Sequence, residues 1–135
     1  MRVGRELLDT NKLIKQWRRS RKRPIAEYTR TDVESWAKEL IGIYQTNYIL
    51  TPVYLEFVSG VVERYEMEMS KAFLSHFIVL DEGKITPEDW AEARRLAERI
   101  PRKSRPRGAI DCLIKALAIR LRCVLLTEDL GMPRS

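Results

Sequence analysis

Four short apolar runs, separated by stretches of helical periodicity, constrain this chain more than any other feature. Glu6 to Leu8, Tyr48 to Leu50, Phe77 to Leu80 and Cys123 to Leu126 have the length and content of buried strands. Between them, Leu13, Ile14 and Trp17 predict a first helix. Val33, Trp36, Ala37, Leu40, Ile41 and Tyr44 predict a second, with Thr31-Asp-Val-Glu34 as its capping box. Thr51-Pro52 reads as an N-cap followed by proline at the first helical position, and Tyr54, Phe57, Val58, Val61, Val62 and Tyr65 as the buried stripe behind it. The segment from Glu66 to Ser75 predicts another short helix. Thr86-Pro87 caps a helix with Trp90, Ala93, Leu96, Ala97 and Ile100 inward, and Ile110, Leu113, Ile114, Leu117, Ala118 and Leu121 mark the last. Strands alternating with helices imply an α/β fold, a parallel sheet joined by right-handed crossovers with helices on both faces.

That topology gathers carboxylates. In a parallel sheet the carboxyl ends of all strands share one edge with the first turns of the helices that follow, and sites are built there. Asp9 follows the first strand, Glu56 lies on the helix after the second, Asp111 starts the helix before the last strand, and Asp129 closes that strand. Asp9-Thr10-Asn11 alone is better explained as turn and capping chemistry. Four acids at one edge need a further explanation, because like charges raise one another's pKa and oppose folding. A bound cation removes that penalty, and oxygen-only ligands favour Mg2+ or Mn2+.

Composition narrows the alternatives. The chain has 135 residues, which fits one domain over 1–135, and no apolar run reaches the roughly 18 residues of a membrane span. Its start, Met-Arg-Val-Gly-Arg-Glu, lacks the apolar stretch of a signal peptide, so a cytoplasmic location is expected. Cys112 and Cys123 lack disulfide or zinc spacing and read as core residues, and a single histidine, His76, argues against a catalytic triad or a histidine-rich metal site. The formal net charge is +6, concentrated in Arg18-Arg19-Ser20-Arg21-Lys22-Arg23 and Arg102-Lys103-Ser104-Arg105-Pro106-Arg107. Such runs attract polyphosphates, and they also serve as solvated loops. No aromatic residues interleave them, so no base-stacking platform is visible.

Leu-Leu-Asp9-Thr-Asn11, Thr-Pro-x-x-x-Glu56, Ile-Asp111-x-Leu-Ile-x-x-Leu-Ala and Leu-Leu-Thr127-x-Asp129 together resemble the PIN-domain family, particularly its small VapC-type toxin ribonucleases. The resemblance covers nearly the whole chain. It implies a three-layer α/β/α sandwich around a four- or five-stranded parallel sheet, and a metal-dependent endoribonuclease in which Asp9, Glu56, Asp111 and Asp129 hold Mg2+ or Mn2+. It also implies that Thr10, Asn11 and Thr127 orient those ligands by hydrogen bonds. Arg105 and Arg107 would meet the RNA backbone. By the same resemblance the protein is the toxin of a toxin-antitoxin pair, a homodimer inhibited by a small antitoxin protein. One departure is that many relatives continue the last acid with aspartate and phenylalanine and then a fifth strand, whereas Leu130-Gly131-Met132 stands here. A catalytically inactive PIN-like module that binds RNA or a protein, and a scaffold whose acids act only as caps, are the alternatives.

Other residues have plainer explanations. Asp81 with Glu82-Gly83 reads as a turn. Trp17, Trp36 and Trp90 lie on apolar stripes and are expected in the core, His76 is expected to bond locally, and Cys112 is expected to be unreactive beside the acids.

Overall fold

The computed structural model describes residues 5–99 and 108–127. The chain folds as a three-layer α/β/α sandwich in which four parallel strands lie in the order β3-β2-β1-β4. These are β1 (Glu6–Leu8), β2 (Tyr48–Ile49), β3 (Ile78–Val79) and β4 (Val124–Leu126). Helices α1 (Thr10–Ser20) and α2 (Arg30–Tyr44) connect β1 to β2, with a single 3-10 turn at Ile25–Glu27 between them. Helices α3 (Thr51–Ser59) and α4 (Arg64–Leu74) lead to β3, and α5 (Pro87–Glu98) and α6 (Ala109–Arg120) lead to β4.

The strands are two or three residues long, so their backbone bonds alone hold little. Burial fixes them: Leu7, Leu8, Ile49 and Leu50 are fully inaccessible. The register pairs Leu8 with Leu126, and the Asp9 N–H continues the ladder to the Leu126 carbonyl at 3.0 Å. Asp9 therefore emerges beside Thr127, the residue after β4.

Helix α1 buries Thr10, Leu13 and Trp17, positions three and four apart that share one face. Trp17 meets Trp36 of α2, Phe57 of α3 and Phe73 of α4 edge-on, with ring centroids 5.3, 5.5 and 5.4 Å away. Phe57 and Phe73 stack on each other. One indole thus fixes the register of α1 against three other helices. That register places Thr10, at the opposite end of the same face, next to the residue before Phe57.

Three local expectations change. The capping box of α2 is Thr29 with Asp32 rather than Thr31 with Glu34: the Thr29 N–H donates to Asp32 at 2.7 Å and Thr29 Oγ1 accepts the Asp32 N–H at 3.3 Å. Helix α3 stops at Ser59, and Val62 is 95% exposed instead of extending the buried stripe. Thr51 is the first helical residue of α3 and its N–H is capped from afar by Asp81 Oδ1 at 2.8 Å.

The expectation for Trp90 is also overturned, since it is 57% exposed. The inward positions of α5 are Asp89, Ala93 and Leu96, at helical spacing one residue out of step with Trp90. Asp89 can point inward because both its oxygens are used. Oδ2 accepts the Thr86 N–H at 2.9 Å in a capping box, and Oδ1 accepts from Arg120 Nε at 2.7 Å. Burial pushes the Asp89 carboxyl up, but the Arg120 guanidinium and the Thr86 bonds together outweigh it and hold that carboxyl below its ordinary range. Arg120 also donates to the Lys84 carbonyl at 3.1 Å. The end of α6 is thereby tied to the start of α5.

Candidate active site

Asp9 is the buried centre of the acidic edge, 5% exposed at the point where β1 passes into α1. It is the N-cap of α1, and its Oδ1 accepts the Thr10 N–H at 2.7 Å. The capping and the acidic-site explanations of this residue therefore hold together, because a carboxylate at a helix N-terminus is favourably placed in the helix dipole. The Thr127 hydroxyl bonds the same carboxylate and itself accepts from Asn11 Nδ2 at 3.2 Å. Asn11, Thr127 and Asp9 form a chain of hydrogen bonds across 116 positions of sequence.

Burial pushes the Asp9 carboxyl above its ordinary pKa, and the nearby charges of Asp111 and Glu56 push it in the same direction. The bonds from Thr127 and Thr10 oppose this without cancelling it. Three of the four sequence candidates are thus close enough to act on one another electrostatically. Glu56 is exposed on α3, and its Oε1 accepts from the Thr10 hydroxyl at 2.5 Å. Asp111 lies in the first turn of α6, and its Oδ2 is 3.0 Å from Lys115 Nζ. Asp129, Arg105 and Arg107 lie outside the described residues.

Lys115 is the participant that sequence reasoning missed. Its signal was present, since it stands four residues after Asp111 in the orientation that favours an ion pair on a helix. Asp81 does make a turn, its carbonyl accepting the Lys84 N–H at 2.8 Å, but its buried side chain also caps α3. Cys112 is buried, and burial pushes the half-buried Cys123 thiol up, so neither is a poised nucleophile. His76 lies 3.7 Å from Glu34 at the surface. In the first basic run, Arg21 pairs with Glu66 at 3.1 Å and Arg23 lies over the Tyr28 ring, while Arg18 and Arg19 occupy the last turn of α1, where cations are favoured.

A family model of the PIN domain matches residues 7–134. The chain belongs to the PIN domain family. No curated protein and no solved structure is significantly similar to it. PIN domains are generally nucleases and generally use divalent metal ions.

The donor set of this PIN domain fits such an ion in kind. Its acids offer only oxygen, and a cation would relieve the electrostatic penalty carried by buried Asp9. Among the described residues no group of three or more Asp, Glu, His or Cys side chains is placed to hold a metal ion. Glu56 is instead tied to Thr10, and Asp111 to Lys115. Among the described residues no helix is long and apolar enough to cross a membrane.

Proposed function

We propose that this PIN domain is a metal-dependent endoribonuclease, and that Asp9 and Asp111, with Asp129, hold a Mg2+ or Mn2+ ion. The observation that carries this reading is the placement of Asp9, a buried carboxylate kept at the sheet edge beside Glu56 and Asp111, where burial and those charges push its pKa up.

The chain's own groups orient and exclude. Asn11 holds the Thr127 oxygen, which leaves the Thr127 hydroxyl hydrogen for Asp9 and fixes the carboxylate plane. Thr10 binds Asp9 through its backbone N–H and Glu56 through its hydroxyl, so one residue coordinates the positions of two acids. Leu7 and Leu8, fully buried, anchor in the core the strand that leads to Asp9. A divalent cation bound there would activate water and neutralise charge developing on a phosphodiester. The reaction is direct hydrolysis, and no nucleophilic side chain is required of the protein.

The resemblance to VapC-type toxins extends the proposal to partners: a small antitoxin protein covering the acidic edge, and a homodimer. The basic runs, Arg105 and Arg107 among them, would guide the RNA backbone, which predicts salt-sensitive binding. The test is cleavage of RNA by the purified chain in Mg2+ or Mn2+ and after chelation. Cleavage that stops on chelation supports the reading. Salt-sensitive RNA binding with no metal-dependent turnover would instead identify a binding module.

A further inference from the structure

Lys115 places a positive charge inside an acidic site whose proposed occupant is itself a cation. Its ammonium is 3.0 Å from Asp111 Oδ2, and the two side chains are only 14% and 28% exposed. A pair shielded to that degree is screened far less than an ordinary surface ion pair. Lys115 is half-buried on α6 and its side chain is largely shielded, so the charge is delivered by a packed helix and not by a loose surface chain. Asp111 in turn is one of the charges acting on Asp9. Neutralising Asp111 therefore lowers the repulsion felt by the most buried acid of the site.

We propose that Lys115 is the resident counter-ion of this site: its ammonium neutralises Asp111 in the metal-free protein and leaves that carboxylate when a divalent cation binds. The proposal rests on the metal-site reading above. A lysine suits the exchange, because its charge is compact and sits at the end of four rotatable carbons, whereas a bidentate arginine would be harder to displace. Two consequences follow. The fold tolerates its acidic edge without metal, and the cation must compete with Lys115 for Asp111, which weakens its binding. On leaving Asp111, the ammonium becomes available to a phosphate oxygen of the substrate.

The experiment compares the full chain with K115M and K115R by thermal unfolding in chelator and in saturating Mn2+, and by calorimetric titration with Mn2+. Methionine keeps the length of the packed stem and removes the charge. K115M is expected to melt lower than wild type in chelator, to gain more from Mn2+, and to bind Mn2+ about tenfold more tightly, the equivalent of about 1.4 kcal/mol. K115R is expected to retain the stability of wild type in chelator. If K115M fails to fold in chelator but folds in Mn2+, the proposal is supported in its strongest form. If Mn2+ does not rescue it, the proposal is overturned. A Mn2+ shift in wild type that equals or exceeds the shift in K115M overturns the counter-ion role alone. No Mn2+ shift in any of the three overturns the metal-site reading and this proposal together.

Discussion

Thr10 and Glu56 are 46 positions apart in the chain and meet through a 2.5 Å hydrogen bond. The contact depends on packing well away from it. Trp17 sets the register of α1 against Phe57, and Thr10 and Glu56 are the neighbours that this register brings together.

Removing the hydroxyl while keeping the shape isolates that bond. Thr10→Val is expected to lower RNA cleavage about 10- to 100-fold, the usual effect of losing a group that orients a metal-site carboxylate. Thr10→Ser should restore most of the rate. A loss in Thr10→Ser with none in Thr10→Val would show that the methyl packing, and not the hydroxyl, is what the site needs.

Trp17 supports the same contact from below, so truncating it should damage stability and activity together. Trp17→Ala is expected to destabilise the protein by about 3–5 kcal/mol, the range for deleting a large buried aromatic. Denaturant unfolding measures the first effect. Cleavage at a temperature where the variant remains folded measures the second.

Asp9 makes a prediction of opposite sign for stability. Its folded pKa lies above the ordinary aspartate range, chiefly through burial, so the folded state holds the Asp9 proton more tightly than the unfolded state does. The stability this provides is complete below the unfolded pKa and is lost as pH rises through the folded one. In chelator, Asp9→Asn should therefore be more stable than wild type, with an advantage that grows as pH rises above the ordinary aspartate pKa of about 4. A constant difference across that range would show that Asp9 is not strained by its charge.

The Asp89–Arg120 pair behaves in the reverse manner. Asp89 is 2% exposed and its folded pKa is depressed, so its contribution is present above the unfolded carboxylate pKa and is lost as pH falls through the folded value. Arg120→Ala leaves Asp89 buried with only its bonds to Thr86. A loss of about 2 kcal/mol is expected, below the full cost for a buried pair because Arg120 is 35% exposed. Urea melts at neutral and acidic pH would show this loss shrinking as Asp89 protonates.

The parts of the fold carried by local pattern were legible in the sequence. The span of β1, the apolar faces of α2 and α6, and the Thr86 cap follow from periodicity and cap chemistry within a few residues. The parts decided by distant partners were not. Asp89 turns inward, displacing Trp90 to the surface, only because Arg120 arrives from 31 residues away. Thr51 is not a cap because Asp81 caps α3 from 30 residues away. In the candidate site, Asp9, Glu56 and Asp111 could be located from the strand-to-helix order alone. The i,i+4 spacing of Asp111 and Lys115 was legible as well, but the shielding of that pair at the site was not, because it depends on how α6 packs.

The central claim is that the acids gathered around Asp9 perform metal-dependent RNA hydrolysis. The most direct measurement is RNA cleavage in Mn2+ by wild type, Asp9→Asn and Asp111→Asn, with each variant first shown to melt cooperatively. Wild-type cleavage that falls at least about 100-fold in both variants is the predicted result. Cleavage that persists in either folded variant would contradict it.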